Sequence, residues 1–244
     1  LQTYYEVNNF KPKKPKTLDI SSKWLFSRLQ TLKMDVTKNL DELKPHLAAS
    51  KLQDFFLNDL SRWYGHIIRE DIKPGLESKH KDSMLYTFYQ VMLESLKLLS
   101  PFIPFVTEEL YQNFFKAFEK EESIHLSNWP EVENKLINKK LEEEMETAKK
   151  IIEASNSIRH EKNLKLRYVL SSLTIEGKDN VVSSGKNLNE VIKKMANVKD
   201  VKIGTVKEGK EIEDGKVSLD IEINPELKNE WLLSELTRSV QETR

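Results

Sequence analysis

The spacing of apolar residues limits the fold more than any other feature of this sequence. Between residues 19 and 158, apolar side chains recur every three or four positions in five stretches, as at Leu25, Leu29, Leu32 and Val36. This spacing puts apolar side chains on one side of an α-helix. Five amphipathic helices joined by short links predict a helix bundle over residues 19–158.

Residues that favour helix ends suggest where these helices begin. Asp19 or Ser21 is placed to cap the first helix, and the second is expected over about residues 45–71. Thr107 is expected to cap the fourth helix, because two prolines precede it in SPFIPFVTEEL. The fifth is expected over about residues 133–158. The aromatics of SPFIPF are expected to pack between the third and fourth helices.

The pattern changes after residue 158. Alternating apolar and polar residues predict strands within 164–177 and 198–206, and EDGK at 213–216 predicts a hairpin before VSLDIEI. Asn187 and Glu190 have the spacing of a capping box, and Asn224 before Pro225 predicts the start of a final helix. We therefore expect a small α+β domain over residues 159–244.

The two ends of the chain are expected to be cut. Residues 1–18, which contain KPKKPK, have no sustained period and are interpreted as a linker or cut end. The last helix shows no glycine or proline stop before residue 244, which predicts that it is truncated. The expected fold class is mainly α, with a helix bundle followed by a small α+β domain.

Composition excludes several functions. Lysine plus arginine and aspartate plus glutamate both number 39, so a polyanion site would have to come from local clustering. The chain has no cysteine, its histidines are scattered, and no glycine-rich phosphate loop occurs. No apolar run approaches the roughly 20 residues of a membrane span. We expect a cytoplasmic protein with no metal site and no catalytic residues in this sequence.

One cationic stripe is the first candidate site. Arg62, His66, Arg69 and Lys73 fall on one helix face beside the apolar seam of the second helix. Such a stripe is more often an ordinary solvated face than a binding surface. Trp63 and Tyr64 point in different directions, so either both belong to the core or one is exposed and can stack on an unpaired base.

A second basic group lies where the helical pattern gives way to the alternating one. It comprises Arg159, Lys162, Lys165 and Arg167. Cations at such a junction can meet a polyanion together with free backbone amides. A contact with RNA and an ordinary charged surface are equally compatible with this pattern.

Four segments in their order resemble a known family. These are LDISSKWLFSRLQTL, AASKLQDFFLNDLSRWYGHIIRED, SLKLLSPFIPFVTEELYQNF and SIHLSNWPEV. They resemble the anticodon-binding domain of class Ia aminoacyl-tRNA synthetases, and DLSRWY with HLSNWP is similar to the isoleucyl members rather than the valyl or leucyl ones. The resemblance is to the C-terminal, anticodon-binding region of that family, so the bundle is expected to be an anticodon-binding bundle.

The resemblance implies a tRNA-binding fragment whose partners are the anticodon arm of isoleucine tRNA and the rest of the synthetase chain. The family's H-I-G-H and K-M-S-K-S signatures have no match, so no catalysis and no cofactor are expected here. ATP and magnesium would serve the parent enzyme, which attaches isoleucine to its tRNA. The candidate tRNA-binding residues are Arg62, Tyr64, His66, Arg69, Lys73, Arg159, Lys162, Lys165 and Arg167. The alternatives are a protein-interaction scaffold that binds no RNA, or the same region of a valyl or leucyl synthetase.

Overall fold

The computed structural model describes residues 10–73, 78, 80–222 and 224–242. The chain divides into two compact units on either side of Lys139 and Lys140. The predicted domain limits, 1–18, 19–158 and 159–244, stay predictions. The division at residues 139 and 140 places most of the fifth predicted helix in the second unit. The expected fold class, mainly α with a small α+β part, is confirmed.

The first unit begins with the long helix α1 (Ile20–Asp41). Asp19 caps it as one of the two expected candidates: its carboxylate accepts hydrogen bonds from the Ser22 amide at 3.1 Å and the Ser22 hydroxyl at 2.5 Å. The predicted apolar face is buried at Leu25, Leu29, Leu32 and Val36. Helix α1 packs against the segments 45–54, 55–64 and 81–99, so it is the central element of the bundle.

The second predicted helix has three parts in the structure. It comprises α2 (Pro45–Asp54), a π-helical segment (Phe55–Tyr64) and the short α3 (Gly65–Ile68). The cationic stripe begins inside the π-helical segment. Helical structure ends at Ile68 rather than near Asp71, and residues 69–72 form turns.

The unit is completed by α4 (Lys81–Leu99), α5 (Pro104–Phe114) and two short 3₁₀ turns (Ile124–Leu126 and Asn134–Leu136). The prediction that Thr107 caps α5 is wrong. Thr107 lies buried inside the helix, where its hydroxyl donates to the Ile103 and Pro104 carbonyls. Pro104 starts the helix instead. Amides in the first turn have no acceptor within the helix, so proline, which has no amide hydrogen, loses no hydrogen bond there.

The turn between α4 and α5 leaves apolar side chains in solvent. Phe105 is 88% exposed and Val106 54% exposed. The expectation that the SPFIPF aromatics pack between these helices is therefore wrong for Phe105. Another aromatic cluster does pack: the Tyr89 ring of α4 lies 5.1 Å from Phe115 and 6.1 Å from Phe118, which follow α5.

The second unit contains α6 (Lys139–Glu161), whose first residue falls at the division, and a small sheet with two short helices. In chain order these are β1 (Leu170–Gly177), α7 (Asp179–Asn187), α8 (Asn189–Ala196), β2 (Val198–Ile203), β3 (Lys210–Ile212) and β4 (Gly215–Leu219). The strand order is β2-β1-β4-β3, with β1 and β2 parallel and the other pairs antiparallel. The predicted hairpin at EDGK is confirmed as the β3–β4 connection.

Helix α9 (Pro225–Glu242) follows the sheet. Asn224 accepts a hydrogen bond from the Leu227 amide at 2.8 Å, as expected for its N-cap. The predicted Asn187–Glu190 capping box is wrong, because Asn187 is the last residue of α7 and its amide group donates to Glu144 at 2.9 Å. The expected truncation of the final helix concerns residues 243–244, which lie outside the described part of the chain.

Candidate nucleic-acid interface

The π-helical segment sets the local geometry of the cationic stripe. The Gly65 amide donates to the Leu60 carbonyl, five residues earlier, as the wider turn of a π-helix requires. A Cβ atom on Gly65 would lie 3.2 Å from that same carbonyl oxygen. Glycine therefore fits the point where the wide turn returns to α-helix, and it adds no side chain to the surface there.

The π-helical segment and α3 border a groove together with α4, which we call the α3–α4 groove. Its volume is about 520 Å³. The lining residues that carry its chemistry are apolar Phe56, Phe88 and Met92 and basic or titratable Arg62, His66 and Arg69. Phe56, Phe88 and Met92 are half-buried, whereas Arg62, His66 and Arg69 are exposed. The groove thus combines an apolar floor with a polar, cationic rim.

The charged residues that line this groove, Arg62 and Arg69, are both basic. Among the described residues that line it, none carries a carboxylate. The Arg62 guanidinium donates to the Asn58 side chain at 3.2 Å, a neutral partner that leaves its charge uncompensated at that contact. Lys73, the last residue of the stripe, is exposed and pairs with Glu70 at 2.5 Å. Three of the four stripe residues therefore share one groove, and the fourth lies beyond it.

Trp63 and Tyr64 both belong to the core. Tyr64 is 0% exposed, and its hydroxyl lies 3.0 Å from the Ser22 hydroxyl and donates to the Met84 carbonyl at 3.3 Å. A ring with no exposed face cannot stack on a base. The placement of Tyr64 among the RNA-contacting residues is therefore corrected, because its hydroxyl joins α1 to α4 inside the bundle.

Arg159 is also buried, in the second unit. Its two terminal nitrogens donate to the carbonyls of Tyr168 at 2.7 Å, Ala196 at 2.8 Å and Asn197 at 2.9 Å, and more weakly to Lys165 at 3.4 Å. Two of these carbonyls end α8, where helix carbonyls lack intrahelical donors. Burial lowers the pKa of Arg159 to about 10, so the group is still charged at neutral pH. The prediction that it contacts RNA is corrected: it holds backbone instead.

The remaining members of the second basic group lie on the surface. Lys162 is exposed and directly follows α6. Lys165 and Arg167 both bind Glu235 of α9, at 3.0 Å and 2.5 Å. These bonds hold the pKa of Glu235 at about 2, the hydrogen bond from Arg167 being the largest cause. Much of the positive charge of this group is therefore compensated within the unit.

The apolar floor of the α3–α4 groove was not predicted. Phe56 and the pair Phe88 and Met92 satisfy the helical spacing of two different seams, which predicts that all three are core residues. Sequence spacing cannot show that the neighbouring helix leaves them half-open.

A helix bundle with a carboxylate-free cationic groove, in a chain that also carries a small α+β unit, has the character of a nucleic-acid-binding protein. The family profile "Anticodon-binding domain of tRNA ligase" matches residues 22–174, and the chain belongs to this family. The resemblance expected from the order of the four segments is thereby confirmed.

Similar proteins agree with this assignment. The chain is 36% identical over 209 residues to the isoleucine–tRNA ligase of Pyrococcus abyssi and 35% identical to that of Thermococcus kodakarensis, matching 84% of this chain in both cases. It is 34% identical over 206 residues to the isoleucine–tRNA ligase of Clostridium tetani. The chain spans about a fifth of the length of these relatives, 19–20%. The matched family is an anticodon-binding domain and not a catalytic one.

Two further observations concern the described residues. No helix among them is both long and apolar enough to cross a membrane. Nor does any group of three histidine, aspartate or glutamate side chains within residues 10–73, 78, 80–222 and 224–242 have an arrangement that would hold a metal ion.

Proposed function

We propose that this chain is the tRNA-binding part of an isoleucine–tRNA ligase and that its first unit holds the anticodon arm of isoleucine tRNA along Arg62, His66 and Arg69. The observation that carries the proposal is the α3–α4 groove, which brings these three side chains together without a carboxylate. It lies within the sequence that the family profile matches.

Phosphate contacts account for the first part of this binding. Arg62 and Arg69 are exposed and can each approach a phosphate oxygen, and Lys73 extends the cationic line once its exposed pair with Glu70 opens. Such an exposed ion pair stabilises the fold by only about 0–1 kcal/mol, so it is readily exchanged for a phosphate contact. These contacts supply affinity and position, whereas base contacts supply sequence specificity.

The second basic group is the weaker candidate. Lys162 remains exposed there, while Lys165 and Arg167 share the carboxylate of Glu235 and Arg159 is buried. A phosphate would have to displace Glu235 before it could bind Arg167. The α3–α4 groove needs no such exchange at Arg62, so the first unit is the better docking surface.

The whole protein would attach isoleucine to its tRNA in the cytoplasm, using ATP and magnesium bound elsewhere in the synthetase chain. Its partners would be isoleucine tRNA and the rest of that chain. The alternative of a protein-interaction scaffold without RNA binding is not favoured, because the matched family is named for anticodon binding. The named relatives are likewise isoleucine enzymes rather than valyl or leucyl ones.

A titration of the chain with isoleucine tRNA and one non-cognate tRNA at several salt concentrations tests the proposal. We expect affinity to fall steeply with salt, since phosphate binding releases counterions. Replacing Arg69 by Glu should weaken binding roughly tenfold, the cost of a lost bond to a charged group. It should also reduce the slope of log affinity against log salt by about one.

The matched control is Lys135→Glu, which makes the same charge change at an exposed position outside the groove. It should leave affinity and slope near those of the unaltered chain. If Arg69→Glu folds normally, as judged by circular dichroism and thermal unfolding, and binds like Lys135→Glu, the cationic stripe is only a solvated face. RNA binding would then have to involve Lys162 and its neighbours.

A further inference from the structure

The α3–α4 groove offers more than phosphate contacts. Its volume of about 520 Å³ lies within the range of pockets that enclose small organic ligands. Phe56 comes from the π-helical segment and Phe88 and Met92 from α4, so the apolar floor is built by two elements. A cationic stripe that contacts only the phosphate backbone of RNA would not need half-buried aromatic rings beside it.

The combination of floor and rim matches one ligand chemistry. A nucleobase has an apolar face that stacks on aromatic side chains, and its backbone places negative phosphates on either side of it. Here the aromatic rings of Phe56 and Phe88 lie in the same groove as Arg62 and Arg69. An uncharged apolar peptide would suit the floor but would gain nothing from the cationic rim. The charge of the groove therefore favours a nucleotide.

We infer that the α3–α4 groove takes an unpaired base of the RNA loop, with Phe88 as the stacking surface and Arg62 and Arg69 on the flanking phosphates. This inference rests on the proposed function and specifies how that surface discriminates single-stranded from paired RNA. Gly65 lines the groove without adding a side chain to it. A base held in a duplex could not enter, because its faces are covered by its neighbours.

The test combines protein variants with altered RNA. The RNA is a hairpin carrying the anticodon stem and loop of isoleucine tRNA, and a set of hairpins each lacking the base at one loop position. The protein variants are Phe88→Leu, which keeps apolar volume without a ring, and Phe88→Ala. Affinity is measured by fluorescence anisotropy at fixed salt, and folding by thermal unfolding.

We expect one abasic hairpin to bind the unaltered chain about 5- to 100-fold more weakly than the intact hairpin, the range found for base stacking on an aromatic side chain. Phe88→Leu should bind the intact hairpin more weakly by a similar factor and should lose the preference for the intact over that abasic hairpin. Because Phe88→Leu preserves the apolar contact, this loss identifies the ring itself and not a collapse of the fold.

The matched control is Phe105→Ala, which removes an aromatic ring that is 88% exposed and lies outside the groove. It should bind every hairpin like the unaltered chain. If both Phe88 variants fold and still distinguish intact from abasic hairpins as the unaltered chain does, the groove does not hold a base, although the proposed function stands. If the unaltered chain binds no hairpin or tRNA at any salt concentration, both proposals fail.

Sedimentation of the same variants distinguishes another occupant. If Phe88→Ala leaves hairpin binding unchanged and alters self-association of the chain, the groove is an interface between two copies, and the base-binding inference is overturned. Unchanged self-association together with lost discrimination between intact and abasic hairpins supports the inference.

Discussion

Arg167 and Glu235 form a bidentate ion pair, in which one terminal nitrogen of Arg167 lies 2.5 Å from one carboxylate oxygen of Glu235 and 2.7 Å from the other. The Tyr168 hydroxyl donates to the same carboxylate at 2.6 Å. The Tyr168 ring in turn stacks on Trp231 of α9 at a centroid distance of 4.4 Å. This contact fastens α9 to the segment that leads into β1.

Because of this ion pair, we expect the stability of the second unit to fall at acid pH. The folded pKa of Glu235, about 2, lies below its ordinary value of 4.5 because Arg167, Tyr168 and Lys165 bind the charged form. Stability from this carboxylate is therefore present above about pH 4.5 and is lost as the pH falls toward 2. We expect Glu235→Gln to unfold at a lower temperature than the unaltered chain at pH 7 and to approach it as the pH falls. NMR titration of the Glu235 carboxyl carbon, with thermal unfolding from pH 2 to 7, measures both effects.

A control for this prediction is Glu222→Gln, since Glu222 is an exposed carboxylate before α9. Its unfolding temperature should stay close to that of the unaltered chain throughout. A constant deficit of Glu235→Gln across the whole pH range would contradict the role of the charged carboxylate.

Replacing Tyr64 by Phe separates a core role from an RNA role. The change removes the contacts of the hydroxyl with Ser22 and the Met84 carbonyl and keeps the ring. We expect a loss of about 0.5–1.5 kcal/mol in the free energy of unfolding, the usual net contribution of a hydrogen bond. Affinity for the intact hairpin should not change. Weakened hairpin binding at unchanged stability would show that Tyr64 reaches RNA after all.

Arg159→Met tests the buried guanidinium. The change keeps a long apolar side chain but leaves the Tyr168, Ala196 and Asn197 carbonyls without this donor. The Asn197 carbonyl keeps the Leu170 amide as a donor at 3.1 Å, whereas the bond to the Ala196 carbonyl is buried and is lost. A buried acceptor left unsatisfied costs about 1–3 kcal/mol, so we expect a loss of at least about 1–3 kcal/mol, measured by urea unfolding. Exposed Lys162→Met, three residues away, should change stability by less than about 0.5 kcal/mol. Equal stability of the two variants would contradict this assignment.

The periodicity of the sequence predicted most of the fold because burial is regular within an element. Apolar residues such as Leu25 and Leu29 lie on the predicted side of α1, and the hairpin signal at 213–216 joins the predicted strand to its neighbour. Helix starts were less predictable, since several residue types can satisfy the first amides. Thr107 has the chemistry of a cap, but Pro104 begins the helix earlier and leaves the threonine inside.

The candidate site was predictable only in part, because the spacing of residues in one element does not show what a distant element covers. The stripe of Arg62, His66 and Arg69 follows from helical geometry alone. The partner of Arg167 lies 68 positions away in the sequence, and the carbonyls that accept hydrogen bonds from Arg159 lie up to 38 positions away. Neither contact has a local signal, so the sequence of the basic segment 159–167 was equally compatible with an RNA contact and with an ordinary charged surface.

The π-helical segment makes the groove sensitive to insertions and deletions. A π-helical turn holds one residue more than an α-helical turn, so removing one residue between Asp54 and Gly65 lets the segment close as an α-helix with i→i+4 bonds. Side chains inside the segment, Arg62 among them, would then point in other directions even if no amino acid were substituted. The number of residues in this stretch therefore matters as much as their identity, and a relative with one residue fewer would present a different face to its ligand.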